Sequence, residues 1–451
     1  MIKSIEIKKL FGKFNYSLEF NNESIMIITG PNGFGKSTIL RMVNSIFGDS
    51  IESIYKYEFG EIIIDFELNN QSLHILKGNG YIDFNKLRIQ LPNGIEEIEK
   101  NYNDVLYKLC DGDIDGVKSR IYRRLDCTHM DKLLIEDFAF LKIFNYFFSD
   151  RRNDSFDSKI KNLYKIKKLI DKYKHEIGDI NFIREQRLIE EQIKIVRFNE
   201  QERIHRNTII LKSNDIEEKL NAYLDKYSKL SNELDSTYLM RLFKGEKKKV
   251  NSLIEMQDRL NIISENQIRL RKYGFAANEN VFNKKISKRI YDRFKNELDI
   301  YIEDMEKKFS VYSEIVKKIE LYEKIVNSKL QFKKISISIE CGIRVIGEDG
   351  KNIELTDLSS GEQEIIVLYY KLIFESATNL VLIDEPEISL HIVWQLEFMK
   401  DIKEIFELNS NFEIIIATHS PQIINGNSEF QIDLGGQYNA SNRRNAKSKS
   451  I

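Results

Sequence analysis

The stretch Ile25–Leu40, IMIITGPNGFGKSTIL, places a glycine-rich loop between a run of apolar β-formers and a segment compatible with a helix. Within it, GPNGFGKS (Gly30–Ser37) fits the spacing G-x-x-x-x-G-K-[ST] of a phosphate-binding loop. The alternative is an ordinary glycine turn, but a preceding strand and a following helix are the context that a phosphate-binding loop requires. The sequence therefore predicts a triphosphate site near the N-terminus.

Each residue type in this loop has a chemical role. The glycines allow successive backbone N–H groups to point at phosphate oxygens, Lys36 neutralises the β and γ oxygens, and Ser37 offers a hydroxyl to Mg²⁺. Thr38 is a further phosphate contact. The predicted nucleotide contacts are Gly30, Pro31, Asn32, Gly33, Phe34, Gly35, Lys36, Ser37 and Thr38.

A second candidate half-site lies far downstream, in NLVLIDEPEISLH (Asn379–His391). An apolar strand ends there in Asp384 and Glu385, at the carboxyl edge where open α/β sheets bind ligands. Asp384 suits the Mg²⁺ shell, and Glu385 suits a general base that orients the attacking water. Two acidic residues after an apolar run are more often a solvated strand end, so this interpretation depends on the phosphate-binding loop.

Composition limits the class of protein. The chain has 451 residues with 42% hydrophobic content, and 69 Lys plus Arg oppose 70 Asp plus Glu for a net charge of -1. No global basic field indicates nucleic acid, and the basic runs Lys159–Lys174 and Lys244–Lys249 are better explained as solvated helix faces. DNA binding is possible but not evident. The three cysteines are scattered, which is typical of a protein from a reducing compartment. The sequence shows no signal peptide and no apolar run of membrane length. We therefore predict a cytoplasmic protein without a membrane partner.

The chain divides into two strand-bearing ends and a helical middle. We predict the N-terminal half of an α/β domain with the phosphate-binding loop over residues 1–100, a helical insertion over 101–330, the C-terminal half of that domain over 331–436, and a disordered basic tail over 437–451. LIEEQIKIVRF (Leu188–Phe198) and IEEKLNAYLDKYSKLSNEL (Ile216–Leu234) are read as helices. Some helices of the insertion are candidates for an antiparallel coiled coil, with FKGEKKK (Phe243–Lys249) as the turn.

Two further segments resemble those of ABC-type ATPases. LSSGEQE (Leu358–Glu364) resembles the LSGGQ signature, and IIIATHSPQII (Ile414–Ile424) resembles the switch strand that ends in a histidine. The order of phosphate loop, signature, acidic strand and histidine is the order of that class. The resemblance implies a mixed and parallel sheet with an antiparallel β lobe, interrupted by a helical insertion, and it implies ATP and Mg²⁺ as ligands.

The same resemblance implies roles for individual residues. The signature helix of one subunit would cap the γ-phosphate bound to another, so the protein would be a homodimer or larger homo-oligomer. His419 would hold the γ-phosphate and the attacking water. Gln186, in INFIREQRL (Ile180–Leu188), would be a Q-loop ligand of Mg²⁺, and the alternative is a polar residue that opens a helix. The signature residues that would act in trans are Ser359, Ser360, Gly361 and Glu362.

A narrower resemblance rests on LSSGEQEIIVLYYKL, LIDEPEISLH and ATHSPQII. These segments resemble the SMC-like ATPases of prokaryotic anti-phage defence and of overcoming-lysogenisation-defect type systems, and the outline is similar to the subunits AriA of PARIS and PtuA of Septu. The sequence departs from the pattern where SLHIVW lacks a proline and where Glu362 replaces a glutamine. Only 32 residues follow His419, too few for a fused Toprim nuclease, so the resemblance implies a separate nuclease or toxin effector and a phage-protein trigger.

Three functions therefore remain open from the sequence. The first is a defence ATPase that senses an invader and controls an effector protein. The second is an SMC-like ATPase for DNA repair or DNA tethering. The third, a transporter's nucleotide-binding subunit, does not account for the long helical stretch between the phosphate loop and the signature.

Overall fold

Parallel strands, antiparallel strands and long helices are all present, which confirms the predicted α/β class. The computed structural model describes residues 2–20, 24–48, 54, 57–66, 72–76, 81–84, 87–90, 180–185, 187–197, 200–244, 252–276, 285–375, 380–408 and 412–440. The strands are β1 (Ile2–Leu10), β2 (Phe14–Glu19), β3 (Ile25–Thr29), β4 (Glu61–Phe66), β5 (Ser72–Leu76), β6 (Tyr81–Phe84), β7 (Leu87–Gln90), β8 (Ile180–Ile183), β9 (Ile189–Arg197), β10 (Glu200–Asn207), β11 (Lys333–Ser338), β12 (Gly342–Gly347), β13 (Asn352–Ile353), β14 (Leu380–Asp384), β15 (Glu413–Ala417) and β16 (Gln431–Asp433). The helices are α1 (Lys36–Phe47), α2 (Thr208–Lys244), α3 (Leu253–Lys272), α4 (Lys288–Ser310), α5 (Ser313–Asn327), α6 (Ser360–Phe374), α7 (Ile392–Leu408) and α8 (Pro421–Ile424).

The first of two units comprises Met1–Ile180, Glu413–His419 and Glu429–Ile451. It contains the predicted antiparallel lobe, a sheet in the order β2-β1-β4-β5-β6-β7. Strand β2 alternates strictly between buried and exposed residues, as a strand with one face on a core does. Strand β4 pairs antiparallel with β5.

Strands β3, β15 and β16 of this unit run parallel, with β3 between the other two. Every residue of β3 and β15 is buried, as predicted for strands covered on both faces. The register pairs Ile27 with Ile416 and Ile28 with Ala417, so the carboxyl ends of β3 and β15 meet at one edge. The glycine loop follows β3 at that edge, and His419 lies two residues after the end of β15.

The second unit comprises Asn181–Phe412 and Ser420–Ser428. Its antiparallel sheet, β11-β12-β13, includes a turn between β12 and β13, where Gly350 has a φ of 75°. Strand β14 is buried at every residue and lies beside β8. The apolar strand expected to end in Asp384 is thus confirmed as β14.

Long helices fill much of the second unit. Helix α4 runs antiparallel to α2, because Arg241 bonds Asp304 at 2.6 Å while Asp235 receives a bond from Lys308 at 2.8 Å. Helix α4 also packs against α3. The predicted helix over Ile216–Leu234 is therefore confirmed within α2. Of the predicted turn, Phe243 and Lys244 end α2, and Gly245–Lys249 lie outside the described residues.

The prediction of a helix over Leu188–Phe198 was wrong. Residues Ile189–Arg197 form β9, which pairs antiparallel with β10, for example Ile193 with Arg203. β-Branched residues favour strands because their χ1 freedom is restricted in helices. The backbone N–H and C=O groups of β9 bond to β10, the strand directly downstream. The apolar spacing within Leu188–Phe198 alone does not indicate this partner.

The predicted start of the disordered tail at residue 437 was also wrong. Residues 434–440 are helical. Gln437 donates from Nε2 to the Ser17 carbonyl at 2.7 Å and accepts from the Ser17 N–H at 3.0 Å. These two bonds tie the segment to β2, a partner that sequence position does not reveal. Residues 441–451 lie outside the described part of the chain.

Two other expectations are the bounds of the helical insertion and the lack of a membrane-spanning segment. Residues 101–179 of the predicted helical insertion lie outside the described residues, so its boundaries stay predictions. Among the described helices, none combines the length and apolar character that crossing a bilayer requires.

Candidate nucleotide-binding site

The glycine loop of the first unit has the backbone conformation that its glycines predict. Gly30, Gly33 and Gly35 have φ values of 146°, 81° and 92°, which side-chain-bearing residues rarely adopt. Helix α1 begins immediately after Gly35, so its N-terminal N–H groups face the loop. A loop followed by a helix N-terminus is a binding site for anions.

Gly35 also has no room for a side chain. A Cβ at this position would lie 2.7 Å from Leu10 Cδ2, and Leu10 is completely buried. At Gly33, by contrast, a Cβ would meet no atom within 4 Å. The two glycines therefore share a positive φ but differ in packing.

We expect Gly35→Ala to destabilise the protein more than Gly33→Ala. Both substitutions carry a backbone strain of about 1–3 kcal/mol, and Gly35→Ala adds about 1–3 kcal/mol because the buried Leu10 must move. Urea denaturation of both variants and the wild type measures the difference. Equal losses would show that Leu10 yields without strain.

The Lys36 ammonium lies within this loop. Its side chain is 4% exposed, and Nζ donates to the carbonyl oxygens of Gly30 at 2.9 Å and Pro31 at 3.3 Å. Nζ is also 3.3 Å from Nδ1 of the exposed His419. Because an ammonium can only donate, Nδ1 is the acceptor. The structure thus brings together two predicted site residues that are far apart in sequence.

Aromatic residues hold the outer side of the loop. The Phe34 ring lies 5.1 Å from Phe14 and 5.8 Å from Tyr438, measured between centroids. The Tyr16 hydroxyl donates to the Phe34 carbonyl at 2.9 Å, and burial raises the pKa of Tyr16. These contacts fix the loop between β2 and the helical segment after β16. The sequence motif includes Phe34 but gave no sign of its partners.

The two predicted acidic residues lie in the second unit at the end of β14. Asp384 is fully buried. Glu385, partly exposed, has φ 46° and ψ 60°, a left-handed conformation that is uncommon for a residue with a side chain. Strained backbone of this kind is concentrated at functional sites. Pro386 then begins a short 3-10 helix, which ends the strand.

A buried arginine that the sequence reading missed supports this turn. Arg187 is 1% exposed and donates from Nη2 to the Asp384 carbonyl at 3.2 Å and the Glu385 carbonyl at 3.5 Å. Burial lowers the pKa of Arg187 to about 10, so the side chain stays charged at neutral pH. Four nearby carboxylates raise the pKa of Arg187 and so oppose the effect of burial: those of Glu364, Glu387, Glu185 and Asp384. No motif contains this arginine, although it directly follows Gln186, which lies outside the described residues.

The signature segment forms the capped start of α6. Ser359 is the N-cap, and its side chain and that of Glu362 form a reciprocal capping box. Ser359 and Ser360 are exposed, and a Cβ at Gly361 would meet nothing within 4 Å. The N–H groups of this helix terminus are therefore open to approach by an anion.

Each unit contains an oxygen donor of the kind that Mg²⁺ prefers. In the first unit, Ser37 lies in the first turn of α1 and offers a hydroxyl beside the glycine loop. In the second unit, Asp384 ends β14 and offers a carboxylate. Mg²⁺ is held by one or two carboxylates together with substrate phosphates more often than by an all-protein cage. Within the described residues, no group of three or more His, Cys, Asp or Glu side chains is placed to hold a metal. A metal bound with a nucleotide would therefore take some of its ligands from the phosphates.

A glycine loop at the edge of a parallel sheet, with a lysine and a histidine beside it, defines a nucleotide-binding α/β protein. The AAA ATPase domain family matches residues 1–424, and the chain therefore belongs to that family.

Three solved structures are similar to the chain at low sequence identity. They are the Smc head bound to the C-winged helix domain of ScpA (10% identity, TM-score 0.40), the Smc head domain with an extended coiled coil bound to the C-terminal domain of ScpA derived from Pyrococcus furiosus (12%, 0.36), and the SMC head domain from Thermotoga maritima (10%, 0.35). Each comparison covers 94% of this chain and 90% of the other. No curated protein matches the chain. Its family assignment rests on the AAA ATPase domain match.

Proposed function

We propose that this protein binds and hydrolyses ATP and that two copies close around the nucleotide. The observation that carries the proposal is the Lys36 ammonium inside a glycine loop, 3.3 Å from His419 at the edge of a parallel sheet. A lysine there neutralises β and γ oxygens, and the histidine orients the γ-phosphate and the attacking water. Bound Mg²⁺ would supply charge neutralisation between the phosphates.

The remaining residues take roles according to their chemistry. The Ser37 hydroxyl, the Asp384 carboxylate and Gln186 would ligate the metal. Glu385 would accept a proton from the attacking water. The open N-terminus of α6, at Ser359–Glu362, would bind the γ-phosphate held by the other copy, which makes each site composite.

We also propose that the protein is the sensor and scaffold subunit of an anti-phage defence system and controls a separate nuclease or toxin. The signature helix supports such a coupling because it is bonded to the helical region. Tyr370 donates its hydroxyl to Asp215 of α2 at 2.7 Å, and the Tyr322 hydroxyl of α5 donates to the Ile366 carbonyl of α6 at 3.0 Å. A movement of α6 on ATP closure would therefore be passed to α2 and α5.

Lys36→Ala tests the ATP site. We expect it to weaken ATP binding by about 10- to 100-fold, because charge-assisted hydrogen bonds are worth roughly 1.5–3 kcal/mol. Binding is measured by calorimetry, and ATP-dependent dimerisation by light scattering. Lys3→Ala removes an exposed lysine of β1 in the same unit and should leave both unchanged. Wild-type affinity in Lys36→Ala would refute the loop assignment.

The same pair of variants tests the defence role. Cells that express the chain with its neighbouring genes should resist phage infection, and Lys36→Ala but not Lys3→Ala should remove that resistance. The effector should co-purify with the wild-type chain in an ATP-dependent manner. Full resistance with Lys36→Ala would separate the ATPase from defence.

A further inference from the structure

The signature helix carries a charge arrangement that the ATPase roles do not use. Both carboxylate oxygens of Glu362 accept from Lys333 Nζ, at 2.8 and 2.9 Å. The same carboxylate accepts from the Ser359 N–H at 2.9 Å and from the Ser359 hydroxyl at 2.8 Å. Lys333 is the first residue of β11, so it reaches the signature from a different element. One ammonium and the N-cap serine therefore share one carboxylate.

The sign of the charge at this helix terminus depends on Lys333. An α-helix N-terminus carries roughly +0.5 of a charge, and an ionised Glu362 in the first turn makes the sum negative. The Lys333 ammonium returns the sum to about +0.5. Burial by itself raises the pKa of Glu362, but the bonds from Lys333 and Ser359 outweigh it and lower the pKa below its ordinary value. Glu362 is therefore ionised at neutral pH.

The Ser359 hydroxyl is affected in the same way. Its proton is donated to Glu362, whereas a signature serine that binds a phosphate must donate to the phosphate. An acceptor already bonded to an ammonium competes less strongly for that proton. Lys333 thus acts on both the field at the helix terminus and the availability of its serine.

We propose that Lys333 is a positioning residue of the signature, which neutralises Glu362 so that Ser359–Gly361 can accept the phosphates of a nucleotide held by a second copy. The inference rests on the proposed function, because it requires the signature to act in trans. Lys333 itself does not touch the nucleotide.

Lys333→Met in the full chain tests the inference. We expect the steady-state ATPase rate and the ATP-dependent dimer to fall at least about 10-fold, because an uncompensated like charge beside a bound phosphate is costly. ATP binding by the isolated copy should be unchanged. Lys334→Met is the matched control, since it removes the same charge from the adjacent, exposed residue of β11, on the opposite face of the strand.

A double-mutant cycle with Glu362→Gln separates charge compensation from a structural role. In the Glu362→Gln background there is no carboxylate to neutralise, so Lys333→Met should change activity by less than about 2-fold. Salt gives a second readout. The loss of ATPase rate in Lys333→Met, relative to the wild type at the same salt concentration, should become smaller as ionic strength rises. The screening length falls from about 10 Å at 0.1 M to about 3 Å at 1 M.

The outcomes distinguish this inference from the proposed function. If Lys333→Met is equally harmful with and without Glu362, and its defect ignores salt, Lys333 is structural and the inference is overturned while the ATPase proposal stands. Wild-type activity in Lys333→Met overturns it as well. If the wild type neither hydrolyses ATP nor dimerises with it, both proposals are overturned.

Discussion

Glu385→Gln is expected to bind ATP normally but to hydrolyse it at least about 100-fold more slowly, because a positioned general base contributes about that much. The substitution preserves the size of the side chain, but it removes the negative charge and with it the ability to accept a proton. The backbone at Glu385, with φ 46° and a carbonyl bonded to Arg187, should hold the glutamine in the same place. ATP should therefore accumulate unhydrolysed, and the closed dimer should persist long enough to be isolated by gel filtration.

Glu387→Gln is the matched control for this variant. Glu387 lies two residues downstream in the 3-10 helix, and its carboxylate opposes the lowering of the Arg187 pKa. Loss of one carboxylate from the turn after β14 is thus common to both variants, whereas loss of the proposed base is not. Near-normal turnover in Glu385→Gln, measured by phosphate release, would remove Glu385 from the role of base.

Local sequence rules succeeded where one segment determines its own structure. The glycine loop needs positive φ at Gly30, Gly33 and Gly35, and no other residue supplies it without strain. The short apolar strands β3, β14 and β15 are buried at every residue, as an uninterrupted apolar run predicts. These elements could be read from the sequence because their signals are contained within about ten residues.

Long-range contacts could not be read in this way. The bond between Arg187 and the Asp384 carbonyl joins residues 197 positions apart, and a carbonyl acceptor leaves no signature in the sequence. The pairing of Lys333 with Glu362 likewise depends on how β11 lies beside α6. The hairpin of β9 and β10 was not predicted, because the apolar residues of β9 also fit helical spacing. A strand is stabilised by side-chain pairs with its neighbour, and the sequence of β9 alone does not reveal β10 as that neighbour.

Mixing two inactive variants should restore ATPase activity if the sites are shared between copies. Lys36→Ala removes the phosphate-loop lysine, and Ser359→Arg blocks the exposed signature terminus, so each homodimer should be inactive. In a mixed dimer, one composite site contains both lesions and the other contains neither. With equal amounts and random exchange, about a quarter of the wild-type activity should return, since half of the dimers are mixed and each has one of two sites intact.

The control is a mixture of wild type with the double variant Lys36→Ala/Ser359→Arg. It contains the same two substitutions as the first mixture, but both lie in one subunit. If each site combines Lys36 of one copy with Ser359 of the other, every mixed dimer in this mixture is inactive, and only the wild-type homodimers work, again about a quarter. If both residues serve the same site within one copy, the wild-type subunit works in every mixed dimer, and activity rises to about half, while the two single variants restore nothing. A quarter in both mixtures indicates a shared site, whereas zero in the first and a half in the second indicates an unshared one. The comparison requires that each single variant is inactive alone and that mass measurement shows mixed dimers.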